Sequence, residues 1–264
     1  LALSLKPIHR QWHNLAAGIV AATSQCLAGL DDLLFPPSCN LCDTPIDRQD
    51  DGLCSTCWQE LTRNIADDYC RRCGRNASPF GIVNNKCGGC QNEEPIFDGI
   101  VRVGVYETAL RNLILAFKFH ERTEYAPRLG GMMRDALAAS GFARKIELFV
   151  PVPLHWRRRL ERGYNQALYL ARHLCLPPAH ICTDLVRIRY TKRQWNLSEA
   201  QRRHNVKNAF TVRRGHPFEG KTIALVDDIT TSGATLTECA KVLKTAGAKQ
   251  VYAVVTAVAH QNSP

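Results

Sequence analysis

The sequence predicts an α/β fold, a mostly parallel sheet flanked by helices, preceded by a small cysteine-rich module. Three observations predict it. From Ile100 onward, strand-like apolar runs alternate with helix-like amphipathic runs, the pattern of a parallel sheet. Ahead of them, eight of the twelve cysteines fall into four Cys-x-x-Cys pairs. Near the end, the run TIALVDD leads into a hydroxyl-rich loop and then a helix, as at the carboxyl end of a central strand.

Residues 1–35 read as a helical lead-in. Lys6, Arg10 and short apolar patches give a weak echo of an export signal, but His13 and Asn14 interrupt it and no clear small-residue cleavage site follows. LFPPSCNLC, from Leu34, ends the lead-in, because Pro36 and Pro37 break a helix.

Residues 36–91 hold the paired cysteines: Cys39/Cys42, Cys54/Cys57, Cys70/Cys73 and Cys87/Cys90. Two thiolates two residues apart can turn onto one metal ion, and a second pair completes a tetrahedron. Spacers of 11 and 13 residues between pairs suit a zinc ribbon. A disulfide framework would need an oxidising compartment, which the cytosolic look of the second half argues against. A redox pair could occur once, hardly four times. Eight ligands allow one or two structural Zn2+ ions, and sequential and interleaved pairing are both open on spacing. Cys26, Cys175, Cys182 and Cys239 are expected to be small buried residues. CWQELTRNIADD is helix-like, and residues 92–99 read as a polar linker.

Residues 100–264 carry the alternating elements. IVRVGVYE is a strand; ALRNLILAFKF and EYAPRLGGMMRDALAA are helices. IELFVPVP is a buried strand ending in prolines, and YNQALYLARHLC an amphipathic helix. LVRIRY and AFTV are short strands on either side of TKRQWNLSEAQRRHN, a polar, partly helical stretch. TIALVDD reads as a strand buried on both faces. ATLTECAKVLKTAG is a helix stopped by Gly247, and VYAVVTAVA the last strand.

Two adjacent carboxylates, Asp227 and Asp228, sit on or just past the TIALVDD strand. Successive strand side chains point to opposite faces, so they do not form a face-to-face acid/base pair. At a strand's carboxyl end they can accept hydrogen bonds from vicinal sugar hydroxyls. The loop Thr230, Thr231, Ser232, Gly233, Ala234, Thr235 combines hydroxyls, a glycine and a helix N-terminus, which suits a phosphate. Together these describe a grip for a ribose 5-phosphate. No Gly-x-x-x-x-Gly-Lys-Ser/Thr and no Gly-x-Gly-x-x-Gly sequence occurs, so the common nucleotide loops are absent.

Net charge is +10, and much of it lies between Arg144 and Lys221. The ordinary reading is a solvated basic face. The sharper one is a surface that meets polyanions. Arg158, Arg159, Arg193, Trp195, Arg202 and Arg203 are candidate nucleic-acid contacts, with Trp156, Tyr164 and Tyr190 as further rings on which bases could stack or which could simply pack in the core. No apolar run approaches the ~18 residues of a membrane span.

LVDDITTSGATL resembles the phosphoribosyl pyrophosphate (PRPP) motif of type I phosphoribosyltransferases. More narrowly, the chain resembles the ComF/GntX family of competence proteins. The likeness rests on LFPPSCNLC, the double Cys-x-x-Cys module, AFKF with Lys118, PVPLHWRRRLERGYNQ, TKRQWNLSEAQRRHNVKNAF and the terminal motif, and it covers nearly everything from Leu34. It implies a type I phosphoribosyltransferase fold behind a double zinc ribbon. It implies that Asp227 and Asp228 hold the ribose hydroxyls, that Thr230 to Thr235 hold the 5-phosphate, and that Mg2+ accompanies PRPP. The turn after FVPVP, with Arg157 and Arg162 nearby, would face the pyrophosphate, and Lys118 would join the site. Thr191 to Arg203 would be a loop closing over the substrate. Ser232 stands where Thr is more usual and Gln201 where Glu is usual, which weakens any ion pair inferred at Gln201. The implied role is handling of incoming single-stranded DNA in the cytoplasm, alongside other competence or recombination proteins. The alternative is an active transferase passing phosphoribosyl from PRPP to a nucleobase or amine.

Overall fold

The computed structural model describes residues 36–259, apart from 40, 48–51, 64–68, 85, 93, 120–121, 176 and 192–196. The expected lead-in helix, Cys26, Arg193 and Trp195 fall outside the described residues. The chain divides into two compact units at Gln59/Glu60.

The first unit holds a knuckle at Cys39–Cys42. The Cys39 amide donates to the Thr44 carbonyl at 2.7 Å and the Asp43 amide returns to the Cys39 carbonyl at 2.8 Å. Helix α1 (Ser55–Arg63) starts between Cys54 and Cys57, two residues earlier than the sequence suggested.

The second unit begins with another knuckle. The short strands β1 (Ile82–Val83) and β2 (Lys86–Cys87) pair antiparallel, and a single turn, α2 (Gly88–Asn92), carries Cys90. The chain then enters a five-stranded sheet. Its strands are β3 (Gly99–Val105), β4 (Leu148–Pro151), β5 (His180–Ile181), β8 (Thr222–Thr230) and β9 (Gln250–Val258), in the order β3-β9-β8-β4-β5. Every pairing in this sheet is parallel.

Parallel strands bury both faces, and their composition shows it: β3 is buried at all seven positions. Alternation sends Val150, Ile223, Leu225, Val251, Ala253 and Val255 into one core. There they meet Leu236, Cys239, Ala240 and Leu243 of α8 (Ala234–Thr245). The opposite face is covered by α4 (Ala126–Ala139) and α6 (Gln166–Leu174). Helix α3 (Thr108–Phe119) follows β3, and helix α5 (Trp156–Arg162) follows β4. Gly247 lies just past α8 with φ of 87°, a left-handed stop that a side chain would resist.

Two short strands form as expected and lie apart from the main sheet. LVRIRY and AFTV do not join the parallel sheet. They give β6 (Leu185–Arg187) and β7 (Phe210–Val212), which form a separate antiparallel ribbon. Between them, α7 (Glu199–Val206) is opened by a capping box: the Ser198 hydroxyl accepts from the Gln201 amide, and the Gln201 side chain accepts from the Ser198 amide. Gln201 therefore caps a helix, a task that needs no charge.

The residues joining the second knuckle to β3 are tightly held. Arg72, between two cysteines of the knuckle, donates to Glu94 at 2.7 Å, to the Pro95 carbonyl at 2.7 Å and to the Phe97 carbonyl. The Ile100 amide donates to the Arg71 carbonyl at 2.8 Å, so the knuckle covers backbone groups of edge strand β3. Arg102, buried on β3, donates to the Gly74 carbonyl at 2.8 Å and to the Asn76 side chain, and burial pulls its pKa down to about 10.

Candidate functional site

The cysteines form two quartets, Cys39/Cys42/Cys54/Cys57 and Cys70/Cys73/Cys87/Cys90, with the sulfurs of each within 4.8 Å of one another. The pairing is sequential. A tetrahedral zinc with Zn–S of ~2.3 Å has S–S edges of ~3.8 Å. Cys42–Cys54 at 3.6 Å, Cys73–Cys87 at 3.6 Å and Cys70–Cys90 at 3.9 Å match those edges and are far too long for disulfides. The electrostatics agree. The Thr44 hydroxyl and amide hold Cys42 down to about 6, while burial and neighbouring sulfurs push Cys57 and Cys90 well up. Four crowded thiols cannot all ionise unless a cation sits among them. Of the remaining cysteines, Cys239 is buried, but Cys175 and Cys182 are only half-buried. Their thiols lie beside the Ala179 carbonyl and Asp184 respectively, which keeps polar groups next to them.

The acid pair lies on β8, the central strand of the sheet. The strand continues through Asp227 and Asp228 to Thr230, with Asp228 and Thr230 buried and Asp227 partly so. Two carboxylates in succession are costly there. The Lys118 ammonium, at the end of α3, meets Asp228 at 2.8 Å, and both side chains are largely enclosed. Burial and the neighbouring Asp228 carboxylate push Asp227 up to about 8, and Lys118 and Arg187 oppose the shift. A carboxyl held this far up, next to a carboxylate already paired with Lys118, ionises only with the help of a ligand that donates hydrogen bonds or brings a cation.

After Thr230 the chain turns through Thr231, Ser232 and Gly233 into α8. Gly233 caps the helix with φ of 74°, a conformation suited to glycine. Gly233 at the cap position supplies no side chain to the first turn of α8. The Ser232 hydroxyl is buried and has no hydrogen-bond partner among the described residues. A buried hydroxyl with no partner among the described residues, set at a helix N-terminus, fits an anion.

The turn after β4 is Val152–His155. The Asn165 side chain holds it by donating to the Val152 carbonyl at 3.2 Å, while its oxygen accepts from the Ala167 amide to start α6. Arg157 and Arg162 sit on α5 beyond this turn, Arg157 exposed in the first helical turn and Arg162 half-buried in the last. Arg158 donates to the Thr191 carbonyl at 2.9 Å, and Arg159 is exposed. Arg203 pairs with Glu199 along α7 at 2.5 Å, and Arg202 is half-buried.

Three rings beside these arginines separate cleanly. Trp156 is 60% exposed and Tyr190 43% exposed. Arg157 lies over both, at 5.2 and 5.8 Å from the ring centres, and Arg158 lies 5.7 Å from that of Tyr190. Tyr164 is buried: its hydroxyl donates to the Phe117 carbonyl and its ring packs edge-on to Tyr169 at 5.1 Å. It belongs to the core and drops out as a stacking candidate.

Two residues near the acids belong to no local motif, and a third residue, Gln166, is buried with an amide unsatisfied among the described residues. Arg187, on β6, donates to the Thr191 hydroxyl at 2.5 Å, and its charge reaches Asp227. Tyr106, just past β3, lies in the field of Lys118 and Asp228. Gln166 is buried, and its side-chain nitrogen has no partner among the described residues. Only tertiary structure brings Arg187 and Tyr106 to the acids, whereas Gln166 closes the run PVPLHWRRRLERGYNQ.

Comparison with known proteins agrees with this layout. Residues 30–91 match a double zinc ribbon domain and residues 161–263 a phosphoribosyl transferase domain. Competence protein F of Haemophilus influenzae is 33% identical over 206 residues, covering 76% of this chain and 87% of its own length. DNA utilization protein YhgH of Salmonella typhi is 32% identical over 228 residues, covering 83% and 96%. Competence protein ComFC of Bacillus subtilis is 26% identical over 222 residues, covering 78% and 88%.

Proposed function

The chain belongs to the family of competence protein F and the YhgH DNA utilization proteins, and from that membership we propose that it binds PRPP with Mg2+ and handles incoming single-stranded DNA in the cytoplasm. The observation that carries the PRPP half is the partly buried acid pair on β8 leading into the N-terminus of α8, with a buried Ser232 hydroxyl unpartnered among the described residues.

The chain's own residues divide the work. Asp227 and Asp228 accept hydrogen bonds from the ribose hydroxyls. Thr231, Ser232, Thr235 and the amides of Gly233 and Ala234 hold the 5-phosphate, with Thr230 anchoring the loop from inside the strand. Lys118 and Arg187 offset the acids, and Arg157 and Arg162 face the pyrophosphate side. Mg2+, when bound, would screen the pyrophosphate from the two carboxylates. The two cysteine quartets hold structural zinc, one ion each.

The DNA half rests on Trp156 and Tyr190, exposed rings overlaid by Arg157 and Arg158. Single strands bind through such rings and cations together, at ~1–3 kcal/mol per stacked base. The test is fluorescence anisotropy with a labelled oligonucleotide across a salt series. Trp156→Ala with Tyr190→Ala should weaken binding, and affinity should fall with rising salt. Salt-independent affinity, or an unaffected double variant, would count against this surface.

A further inference from the structure

A cleft of about 480 Å3 opens behind the phosphate loop. Thr231 to Ala234 form one wall, the second knuckle and the segment 94–97 another, and α7 with the residue after it and α8 the rest. Asp227 and Asp228 do not line it. The loop therefore borders the acid pair through the chain and the cleft through space. That volume lies in the range of small-ligand pockets, ~300–1,000 Å3.

The side chains at its walls carry a slight cationic excess, Arg75, Arg203, Lys207 and Lys241 against Glu94, Glu199 and Glu238. Glu94 is taken by Arg72 and Lys86, at 2.7 and 2.6 Å. Glu199 is taken by Arg203, and Glu238 accepts the Asn208 amide at 2.7 Å. Arg75, His204, Lys207 and Lys241 also line the cleft and are not committed to these acids. The N-terminal end of the α8 dipole and the buried Ser232 hydroxyl, unpartnered among the described residues, add to the same side.

A PRPP molecule ends at its 5-phosphate, so a site built for PRPP alone needs no basic space beyond the loop. A nucleic-acid strand does need it. Its 3′-terminal nucleotide presents the same groups in the same order: a sugar hydroxyl for the acids, then a 5′-phosphate for the loop. That phosphate is a diester, and the next nucleotide must continue past it. We propose that the phosphate loop also holds the 3′-terminal nucleotide of a single strand, with the penultimate nucleotide seated in this cleft against Arg75 and Lys241. PRPP and the strand end then compete for one grip. This rests on the PRPP reading of the acid pair and loop.

The test uses the full-length, zinc-loaded chain and 5′-labelled 12-nucleotide single strands of one sequence. One ends in a 3′-hydroxyl, one in a 3′-phosphate, and one is circular with an internal label. The expected result is that the 3′-hydroxyl strand binds at least fivefold more tightly than the other two, and that PRPP with Mg2+ erases the difference. The 3′-phosphate fails because it sets a dianion against Asp227 and Asp228. Arg75→Glu with Lys241→Glu should lower the salt dependence of strand binding by about 1.4, at ~0.7 per lost phosphate contact, and leave PRPP affinity within twofold. Equal affinity for the three strands, or a strand-end preference that PRPP does not touch, overturns the proposal while leaving PRPP binding intact. Failure of PRPP itself to bind the wild-type chain is a different result, and it removes the reading on which the proposal stands.

Discussion

Replacing Asp227 by Asn should make the protein more stable in mild alkali and useless for PRPP. The carboxyl of Asp227 is pushed up to about 8 by burial and by Asp228, from an ordinary 3.8. A group whose acid form is favoured in the folded state binds more protons folded than unfolded between those two values. Stability must then fall as pH rises through that window, and the full penalty is present above about 8. Below pH 4 both states are protonated and there is no penalty. Lys118, Arg187 and solvent absorb part of the shift. One surviving pH unit is still worth ~1.4 kcal/mol. For a chain of this size ~1 kcal/mol moves the melting midpoint by about 2–4 °C. Asparagine cannot ionise, so Asp227→Asn should raise the midpoint by at least ~3 °C at pH 8.5 and by clearly less at pH 5, where only the lower part of the window has been crossed. Differential scanning fluorimetry at the two pH values reads this directly. Isothermal titration should show the same variant losing PRPP binding, because an amide replaces a two-acceptor carboxylate. An equal shift at both pH values, or destabilisation in alkali, would refute the electrostatic account of the acid pair.

Other perturbations follow from the same contacts. Lys118→Met leaves the largely enclosed Asp228 carboxylate without its 2.8 Å partner, and the cost should be ~1–3 kcal/mol in urea unfolding, below the full cost of breaking a fully buried pair. Arg72→Gln removes the clamp on Glu94, Pro95 and Phe97, and a Cβ at Gly233 would lie 3.9 Å from the Phe97 ring. This variant should keep both zinc ions by elemental analysis yet show faster hydrogen exchange at Gly233–Leu236. Cys70→Ser with Cys73→Ser should lose one zinc ion of two and lower the melting midpoint of the α/β unit, since that knuckle bonds to β3 through Arg71 and Arg102. An unchanged midpoint after loss of that zinc would show that the knuckle does not brace the sheet.

The parts legible in the sequence were those set by local pattern. The TIALVDD run could only be a strand with both faces buried, and the loop after it had to turn into a helix. Four Cys-x-x-Cys pairs announced metal ligands, but sequential pairing was invisible because spacing allows either arrangement. LVRIRY and AFTV were legible as strands, but their pairing into the β6–β7 ribbon was not, because the partner lies across the α7 segment. Tyr164 and Tyr190 both neighbour arginines in sequence. Only packing shows that one hydroxyl reaches the Phe117 carbonyl while the other ring stays at the surface. Arg187 and Tyr106 approach the acids from separate elements, so no local motif could reveal them. Gln201 looked like a weakened ion pair, and it is a helix cap whose role depends on hydrogen bonding alone.

The central claim is that β8 and the start of α8 form a grip for ribose 5-phosphate. Isothermal titration of PRPP with Mg2+ into the zinc-loaded chain, beside the Asp227→Asn, Asp228→Asn double variant, tests it most directly. The account predicts one molecule bound per wild-type chain, no binding to the double variant, and two zinc ions in each. A folded wild-type chain that carries both zinc ions and shows no PRPP binding would contradict it.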